Sequence, residues 1–336
     1  SNFHLPVTTQ APYQYARFHN PTWDAVEGAL GHVEQAETIV FPSGMAACAA
    51  VLYAALKAGD RLLLPSDGYY TVRALANRFL APLGVAIDTC PTVEMATLDL
   101  TPYRMVWLET PSNPGLDVVD IELIAQRARK GGACVVVDNT TMTPFGQRPL
   151  DLGAHVVVSS DTKAINGHSD VLFGHVSTRD ADLAGAIRDW RKLGGAIPGP
   201  FEAWQVYRGL ETLEVRFARM CETAGVIAER LAAHEKVLEV RYPGLASDPA
   251  HAIAKRQMAA FGFLIGVTFA DEAAAERVIA KCAMIRPATS FGGVHTSAER
   301  RARWGDQVKP GFVRLSVGIE PTKIIADEII LALSQA

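Results

Sequence analysis

The sequence predicts an α/β protein in which a mostly parallel sheet is flanked by helices and is followed by a smaller α+β domain at the C-terminal end. Up to about residue 200, short apolar runs rich in β-branched residues alternate with segments of helical length, which is the order that places parallel strands between helices. The runs are apolar throughout instead of alternating with polar residues, as is typical of strands buried on both faces. A length of 336 residues also favours two domains.

The first part of the chain contains five predicted strands separated by predicted helices. The strands are residues 61–65 (RLLLP), 85–89 (VAIDT), 104–109 (RMVWLE), 134–139 (CVVVDN) and 155–160 (HVVVSS). The helices are residues 44–57, 70–83 and 121–130, and a further helix opens at Pro21 and Thr22.

The second part begins with a long predicted helix over residues 201–234. Predicted strands follow at residues 237–243, 261–269 and 312–318, with helices at 271–282 and 321–334. We therefore divide the chain into an N-terminal segment of residues 1–20, a large domain of residues 21–215 and a C-terminal domain of residues 216–336. The linker between the domains is either the GLASDP segment at residues 244–249 or the long helix itself.

Composition favours a small-molecule partner in a reducing compartment. The net charge is -4 with basic residues scattered along the chain, which argues against nucleic acid or an anionic membrane surface as a partner. The five cysteines are odd in number and form no C-x-x-C pair, so we expect free thiols and a cytoplasmic location. The longest apolar stretch, residues 45–56, is too short to span a bilayer, and no signal-peptide pattern opens the chain.

Polar residues follow the predicted strands at the edge where open α/β sheets bind ligands. They are Asp67, Glu109, Asp138 and the SSDTK segment that contains Lys163. Taken alone, Asp138 is interpreted as a helix cap or turn former and Lys163 as a solvated surface lysine. Together they suggest a constellation of a carboxylate and an amine at one edge of the sheet.

Two further segments carry the features of a phosphate site. In FPSGMAAC, Ser43 and Gly44 stand where a loop turns into a helix without an acidic first turn, so free N–H groups and the positive helix end face an incoming anion. Upstream, Tyr15 and Arg17 lie two residues apart in an extended segment and suit phosphate oxygens. The simpler interpretations are a helix cap for the first and a surface arginine beside a packed tyrosine for the second.

A phosphate site, an aspartate and a lysine at strand ends are what pyridoxal phosphate requires. The lysine forms the Schiff base and the aspartate holds the pyridine nitrogen protonated, while the helix end anchors the phosphate.

The chain resembles the Cys/Met-metabolism family of pyridoxal-phosphate enzymes, which have the transferase-like fold of aspartate aminotransferase type I. Within that family it most resembles the cystathionine γ-lyases. The matching pieces run in family order over nearly the whole chain: YARFHNPT, FPSGMAA, ETPSNPGLDVVDI, VVDNTTMTPFGQRPLDLGAHVVVSSDTKAINGHSD and FVRLSVGIE.

The resemblance implies a role for each matching residue. Lys163 would form the Schiff base and Asp138 would hold the pyridine nitrogen, with Asn113 near the phenolic oxygen of the cofactor. Tyr69 would stack on the cofactor ring and act as an acid, although Tyr70 remains possible because SDGYYTVRAL is a shortened form of the family motif. The phosphate would be held by Ser43, Gly44, Met45, Ser160 and Thr162, and by Tyr15 and Arg17 of a neighbouring subunit. Asn113, Ser290 and Arg314 would bind the substrate, Ser290 and Arg314 by its carboxylate.

The resemblance also implies an oligomer, a tetramer built from two dimers that share active sites, with residues 1–20 contacting the neighbouring subunit. Two departures from the family stand out. Only 14 residues precede Tyr15, so the N-terminal arm is either truncated or reduced. After SFGG, where an acidic residue is common, the chain has Val294 and His295, and His295 is either a substrate contact or a solvent-facing loop residue.

The expected reaction is the γ-elimination of L-cystathionine to cysteine, 2-oxobutanoate and ammonia, with Lys163 and Tyr69 as the catalytic residues. The alternatives are a methionine γ-lyase, a cystathionine γ-synthase or O-acylhomoserine sulfhydrylase, and an elimination on cysteine itself. A non-catalytic scaffold is disfavoured because it has no need of Lys163, Asp138 and Arg314 together. A nicotinamide-binding protein is disfavoured because no G-x-G-x-x-G follows a strand. A metal site at His168 and His175 is disfavoured by the spacing.

Overall fold

The computed structural model describes residues 13–336 and contains two sheets. The first sheet has seven strands in the spatial order β1-β7-β6-β5-β4-β2-β3. They are β1 (Glu37–Phe41), β2 (Arg61–Pro65), β3 (Ala86–Cys90), β4 (Met105–Glu109), β5 (Cys134–Asp138), β6 (Val156–Ser159) and β7 (Gly174–Thr178). The pairs from β3 to β6 are parallel, whereas β7 is antiparallel to both of its neighbours. The predicted mostly parallel sheet is confirmed.

Helices cover the first sheet. They are α1 (Pro21–Glu34), α2 (Gly44–Ala55), α3 (Tyr70–Leu75), α4 (Ile121–Gly131), the single turn α5 (Thr143–Gly146) and α6 (Ala181–Gly194). Polar side chains define their starts: Asn20, Ser43, Asp120 and Asp180 each accept a hydrogen bond from a backbone N–H of the first turn. The strands between the helices are buried on both faces, as the apolar runs predict; in β2, for example, Leu62, Leu63 and Leu64 are all fully buried.

The second sheet has five strands in the order β10-β11-β12-β9-β8. Its strands are β8 (Glu239–Arg241), β9 (Leu264–Thr268), β10 (Arg286–Pro287), β11 (Ser297–Arg300) and β12 (Phe312–Ser316). The accompanying helices are α7 (Pro200–Leu210), α8 (Leu213–Ala232), α9 (His251–Gln257), α10 (Glu272–Lys281) and α11 (Thr322–Gln335). This mixture of strands and helices confirms the α+β pattern, while the domain boundary at residues 215 and 216 stays a prediction.

The prediction of a single helix over residues 201–234 is wrong, because the helix is interrupted between α7 and α8. The carbonyl of Gly209 would accept a helical hydrogen bond from residue 213, but it accepts from the side chain of Arg216 at 2.7 Å and from Thr212 N at 3.3 Å. The Arg216 guanidinium also binds the carbonyls of Ala164 and Ile165 at 2.7 and 2.9 Å. The buried Arg216 side chain thus takes the place of the next helical donor at Gly209, and the same side chain binds the turn that follows β6.

The helix expected over residues 70–83 is irregular. Its α-helical part ends at Leu75 and is followed by a π-helical segment (Ala76–Leu80) and a 3-10 turn (Ala81–Leu83). Four strands were not predicted: β1, β7, β10 and β11. Polar residues such as His175 in β7 and Glu299 in β11 interrupt the apolar pattern, so neither segment reads as a buried strand.

A buried ionic cluster lies beneath the turn that carries Lys163. His175 in β7 is fully buried, with Nδ1 at 2.7 Å from Asp161 Oδ1 and Nε2 at 3.5 Å from Glu34 Oε1. Burial alone disfavours the imidazolium, but the two carboxylates outweigh it and raise the pKa of His175 to about 10. The cluster explains His175 as one member of an ion-paired group that ties α1, β7 and the Lys163 turn together.

We expect Asp161→Asn to lower the free energy of unfolding by about 3–5 kcal/mol near pH 6.5, because it leaves a buried charge without its close partner. The pKa of His175 is raised on folding, so its contribution is complete below pH 6.5 and is lost as the pH rises through about 10. The difference between wild type and variant should therefore shrink over that range in urea-unfolding curves. The exposed Asp151, which pairs with Arg179, provides the control: Asp151→Asn should cost less than about 1 kcal/mol at any pH. Equal losses for the two variants would contradict this account.

Candidate active site

A cavity of about 370 Å³ opens at the carboxyl ends of β4, β5 and β6. It is lined by nearly all of the residues singled out in the sequence, namely Ser43, Gly44, Met45, Tyr69, Asn113, Asp138, Ser160, Thr162, Lys163, Ser290 and Arg314. These residues come from both parts of the chain, because Ser290 and Arg314 belong to the region of the second sheet. The structure thus brings the sequence-derived constellation into one site.

The two remaining residues, Tyr15 and Arg17, lie outside the cavity. Arg17 Nη1 donates to the carbonyl of Lys192 at 2.5 Å, and its guanidinium lies 5.4 Å from the centre of the Tyr15 ring. Their expected contact is with the phosphate of a neighbouring subunit, so it concerns a second copy of the chain and stays a prediction. Residues 1–12 of the expected N-terminal segment lie outside the described residues.

Lys163 lies in the turn that follows β6, and its amine points into the cavity. Nζ donates a hydrogen bond to Ser290 Oγ at 2.7 Å and lies 5.2 Å from the centre of the Phe291 ring. Burial, and then the nearby charge of Arg314, lower the pKa of Lys163 to about 8. A large fraction of this amine is therefore neutral, and hence nucleophilic and basic, at a mildly alkaline pH.

Two carboxyl groups stand side by side at the ends of neighbouring strands. Asp138 in β5 is paired in register with Glu109 in β4, and both are buried. Burial raises the pKa of Asp138, while hydrogen bonds from Thr140 and the charge of Lys163 oppose that shift. Burial and then the charge of Asp138 raise the pKa of Glu109 well above its usual range. Both carboxyls accept hydrogen bonds, but only the pKa of Glu109 is raised further by the charge of its neighbour, so Glu109 is the carboxyl that stays protonated more readily.

The N-terminus of α2 forms one end of the cavity. Ser43 caps this helix by accepting from Ala46 N at 3.1 Å, and the first turn contains no acidic residue. The N–H groups of Gly44 and Met45 therefore lack helical partners and face the cavity. A Cβ on Gly44 would lie only 2.6 Å from Ser160 Cβ, so glycine is needed for the helix end to approach the segment after β6. The result is an anion site of the kind expected from FPSGMAAC.

Tyr69 and Tyr70, the two candidates for the residue that stacks on the cofactor ring, differ in their position relative to the cavity. Tyr69 lines the cavity, and its backbone N–H donates to Glu109 Oε2 at 2.5 Å. Tyr70 opens α3, is 64 % exposed and does not line the cavity. The position of Tyr69 therefore matches the expected stacking residue better than that of Tyr70.

Thr162 and Ser160 differ in how free their hydroxyls are. Thr162 Oγ1 donates to the carbonyl of Phe173 at 3.1 Å and accepts from Phe173 N at 3.0 Å, so it braces the turn as well as facing the cavity. The Ser160 side chain lies against Gly44 at the helix end. Ser160 is thus better placed than Thr162 to give its hydroxyl to an anion.

Arg314 in β12 presents a buried guanidinium at the other side of the cavity. It donates to Asn113 Oδ1 and, at 3.1 Å, to the carbonyl of Ser290, whose backbone has a positive φ of 79°. Burial lowers the pKa of Arg314 to about 10. Arg314 and Asn113 are thus coupled directly, and a bound carboxylate would meet both.

The sequence analysis missed several residues that line or support the site. Phe291 lies between the two cations, with its ring centre 5.1 Å from Arg314 and 5.2 Å from Lys163. Arg301 lines the cavity, and Glu299 binds Arg314 from behind. Phe291 stands in the SFGG motif already quoted, whereas Glu299 and Arg301 belong to a segment rich in charge that gave no signal of burial.

His295 lies in a neighbouring cavity of about 570 Å³, together with His168 and Asp170. The two cavities share Thr162, Ser290 and Phe291, so they adjoin at the Lys163 turn. His295 is exposed and does not line the first cavity. A direct contact between His295 and a ligand at Lys163 is therefore not supported by this geometry.

Within residues 13–336, no helix is long and apolar enough to cross a membrane.

Comparisons with known proteins agree on one family. The model of the Cys/Met metabolism PLP-dependent enzymes matches residues 4–336. A protein of Streptomyces coelicolor named putative cystathionine γ-lyase is 47% identical over 97% of this chain and 85% of its own length. The cystathionine γ-synthase of Mycobacterium bovis is 42% identical over 92% of this chain and 83% of its own length.

A solved structure has the same fold. It is described as apo CalE6, a methionine γ-lyase from Micromonospora echinospora, and it matches with a TM-score of 0.93 and 37% identity, covering 99% of this chain and 91% of that one. The matched residues span both sheets and the whole cavity. The chain therefore belongs to the Cys/Met metabolism family of pyridoxal-phosphate-dependent enzymes.

Proposed function

We propose that this protein is a carbon–sulfur lyase that converts L-cystathionine and water into cysteine, 2-oxobutanoate and ammonia by γ-elimination. The observation that carries the proposal is the single cavity in which Lys163, Asp138, Arg314 and the N-terminus of α2 meet. An amine, a carboxylate, a carboxylate-binding arginine and an anion site are the four elements that the chemistry of amino acids on pyridoxal phosphate needs.

The residues present fit the cofactor. The N–H groups of Gly44 and Met45 and the Ser160 hydroxyl form a donor set suited to a phosphate, and the glycine leaves the space that a Cβ would fill. Asp138 lies at the end of β5, on the same cavity as Lys163, and would hold the pyridine nitrogen. When bound, pyridoxal phosphate supplies an electron-withdrawing ring that stabilises negative charge at the α-carbon of an amino acid.

Lys163 is the group that would move protons at the substrate. Its pKa of about 8 places it near the pH at which a general base is most effective, and the hydrogen bond from Nζ to Ser290 Oγ fixes its direction. Tyr69 would supply the acid for the departing sulfur, because its side chain lines the same cavity. Arg314, held by Asn113 and the Ser290 carbonyl, would orient the substrate carboxylate.

The choice of L-cystathionine rests on similarity, since relatives with other activities share the same kind of site. The relative from Streptomyces coelicolor is more similar to this chain than the γ-synthase from Mycobacterium bovis, at 47% against 42% identity, and its name indicates γ-elimination. The proposed assembly, a homotetramer of active-site-sharing dimers in the cytoplasm, would bring Tyr15 and Arg17 to a neighbouring phosphate site.

We expect Gly44→Ala to weaken cofactor binding at least tenfold, because its Cβ would lie 2.6 Å from Ser160 Cβ and would force the helix end away from the phosphate. The dissociation constant can be measured by absorbance titration of the cofactor-free enzyme with pyridoxal phosphate. Gly28→Ala in α1 is a matched control, since a Cβ there meets nothing within 4 Å. Unchanged binding in Gly44→Ala would show that this helix end does not hold the phosphate.

The low pKa of Lys163 can be tested on the cofactor-free enzyme by trace acetylation with acetic anhydride, followed by peptide mass spectrometry. We expect the acetylation of Lys163 to rise with pH to a plateau with a midpoint near 8, because only the neutral amine reacts. In Arg314→Gln the midpoint should move upward, because a neighbouring positive charge is removed. A midpoint near 10.5 in the wild type would contradict the proposed electrostatics.

The reaction itself is tested by incubating the cofactor-loaded enzyme with L-cystathionine and identifying the products by mass spectrometry. We expect cysteine and 2-oxobutanoate, and no turnover in Lys163→Ala, which lacks the proposed base. Homocysteine and pyruvate would instead indicate β-elimination. If L-cystathionine is recovered unchanged, the proposed substrate is wrong, and methionine, cysteine and the γ-replacement reactions become the ones to test.

A further inference from the structure

Arg314 is bound on its inner side by a second charged residue. Glu299 in β11 is the direct cross-strand partner of Arg314 in β12, and both side chains are almost fully buried, at 5% and 3% exposure. One oxygen of Glu299, Oε1, accepts a hydrogen bond from Arg314 Nη2. The other, Oε2, accepts from Trp304 Nε1 at 3.0 Å. The carboxylate is therefore fixed in direction before any ligand arrives.

A second arginine shares that carboxylate. Arg301 Nη1 donates to the same Glu299 Oε1 at 2.8 Å, and its Nε donates to Asp306 Oδ2 at 2.7 Å. Its side chain is only 12% exposed and lines the cavity that contains Lys163 and Arg314. Two guanidinium groups that bind one carboxylate oxygen must lie close together, so the cavity wall presents a pair of arginines instead of one.

The charge of this wall favours a second, incoming carboxylate. Glu299 neutralises one of the two arginines from behind, and Asp306 contacts Arg301 from a more exposed position, at 21% exposure against 5% for Glu299. Two carboxylates thus balance the two arginines, since Asp306 also contacts Arg301 Nη2 at 2.6 Å, and Lys163 adds a third cation to the lining of the same cavity. A carboxylate that enters from the cavity would lie against the two guanidinium groups and near Lys163, where cations outnumber these two carboxylates.

We propose that Arg301 binds the substrate carboxylate together with Arg314, and that Glu299 is a positioning residue that holds both guanidinium groups in place. This inference rests on the proposed function only in requiring that the ligand be an amino acid with a free carboxylate. It does not depend on which sulfur compound is cleaved. It extends the carboxylate site from Asn113, Ser290 and Arg314 to a two-arginine arrangement built on β12 and on the turn that follows β11.

The test measures carboxylate binding without turnover. The cofactor-loaded enzyme is titrated by calorimetry with 4-(methylthio)butanoate, which has a carboxylate and no amine, and with 3-(methylthio)propylamine, which has an amine and no carboxylate. We expect Arg301→Gln to weaken the carboxylate probe by about ten- to hundredfold, the range for a lost charged hydrogen bond, and to change the amine probe less than twofold. Arg301→Lys should recover part of the loss because it keeps the charge.

Arg303→Gln is the matched control. Arg303 lies two residues further along, pairs with Glu276 and does not line the catalytic cavity, so both probes should bind to this variant as they do to the wild type. For whichever amino acid the enzyme turns over, Arg301→Gln should raise KM and leave kcat nearly unchanged, as removal of uniform binding predicts. Carboxylate binding as tight in Arg301→Gln as in the wild type, or an equal loss for both probes, would overturn the role of Arg301.

Glu299→Gln tests the positioning role with a side chain of the same shape. We expect weaker binding of the carboxylate probe and a raised KM, because both arginines lose the charge that orients them. Tighter carboxylate binding in Glu299→Gln would show that Glu299 competes with the ligand, and it would overturn this assignment. Both probes report on the site even if L-cystathionine is not a substrate, so failure of the proposed substrate and failure of the two-arginine site give different results.

Discussion

The site depends on how closely the N-terminus of α2 approaches the sheet. Gly174 opens β7, and a Cβ there would lie 2.6 Å from Gly44 N; a Cβ on Gly44 would lie equally close to Ser160. Two glycines on adjoining segments therefore let backbone pack on backbone at the point where the strand, the helix and the Lys163 turn converge. Because the helix end can lie this deep, its unpaired N–H groups face the same cavity as the residues at the ends of β5 and β6.

Around this convergence the chain places charges that would each be unfavourable alone. Lys163 and Arg314 are cations whose pKa values burial lowers, to about 8 and about 10, and Asp138 and Glu109 are carboxyls whose pKa values burial raises. Each shift reflects the cost of keeping a charge away from water. The site is thus suited to ligands that carry both charges. A phosphate and a carboxylate would pair with the buried cations, and a protonated ring nitrogen would pair with Asp138.

Much of this arrangement could be predicted from the sequence, for physical reasons that can be stated. The strands β2, β4, β5 and β6 are short apolar runs, and the residue that follows such a run must lie at the carboxyl edge of the sheet. That reasoning placed Asp138 and Lys163 together, and the family resemblance added residues as distant in sequence as Ser290 and Arg314. Both fold class and cofactor followed from these patterns.

What could not be predicted depends on contacts between distant segments. Glu299 and Arg301 belong to a segment with the charged pattern of a solvated surface. Only the pairing of β11 with β12 shows that Glu299 is buried against Arg314, and that Arg301, just after β11, binds the same carboxylate. The end of α7 likewise depends on Arg216, a residue in the next helix, which captures the carbonyl that would have continued the first one. Strand β7 was not predicted because it contains His175, a polar residue whose burial depends on its acidic partners in other segments.

The Arg216 side chain also connects two parts of the molecule, in addition to its role at the end of α7. Its guanidinium joins the carbonyls of Ala164 and Ile165, next to the lysine, to α8, which packs on the second sheet. The turn that carries Lys163 is therefore hydrogen-bonded to the same body that carries Arg314 on β12. A shift of that body relative to the first sheet would therefore have to break these two hydrogen bonds or move the turn with it.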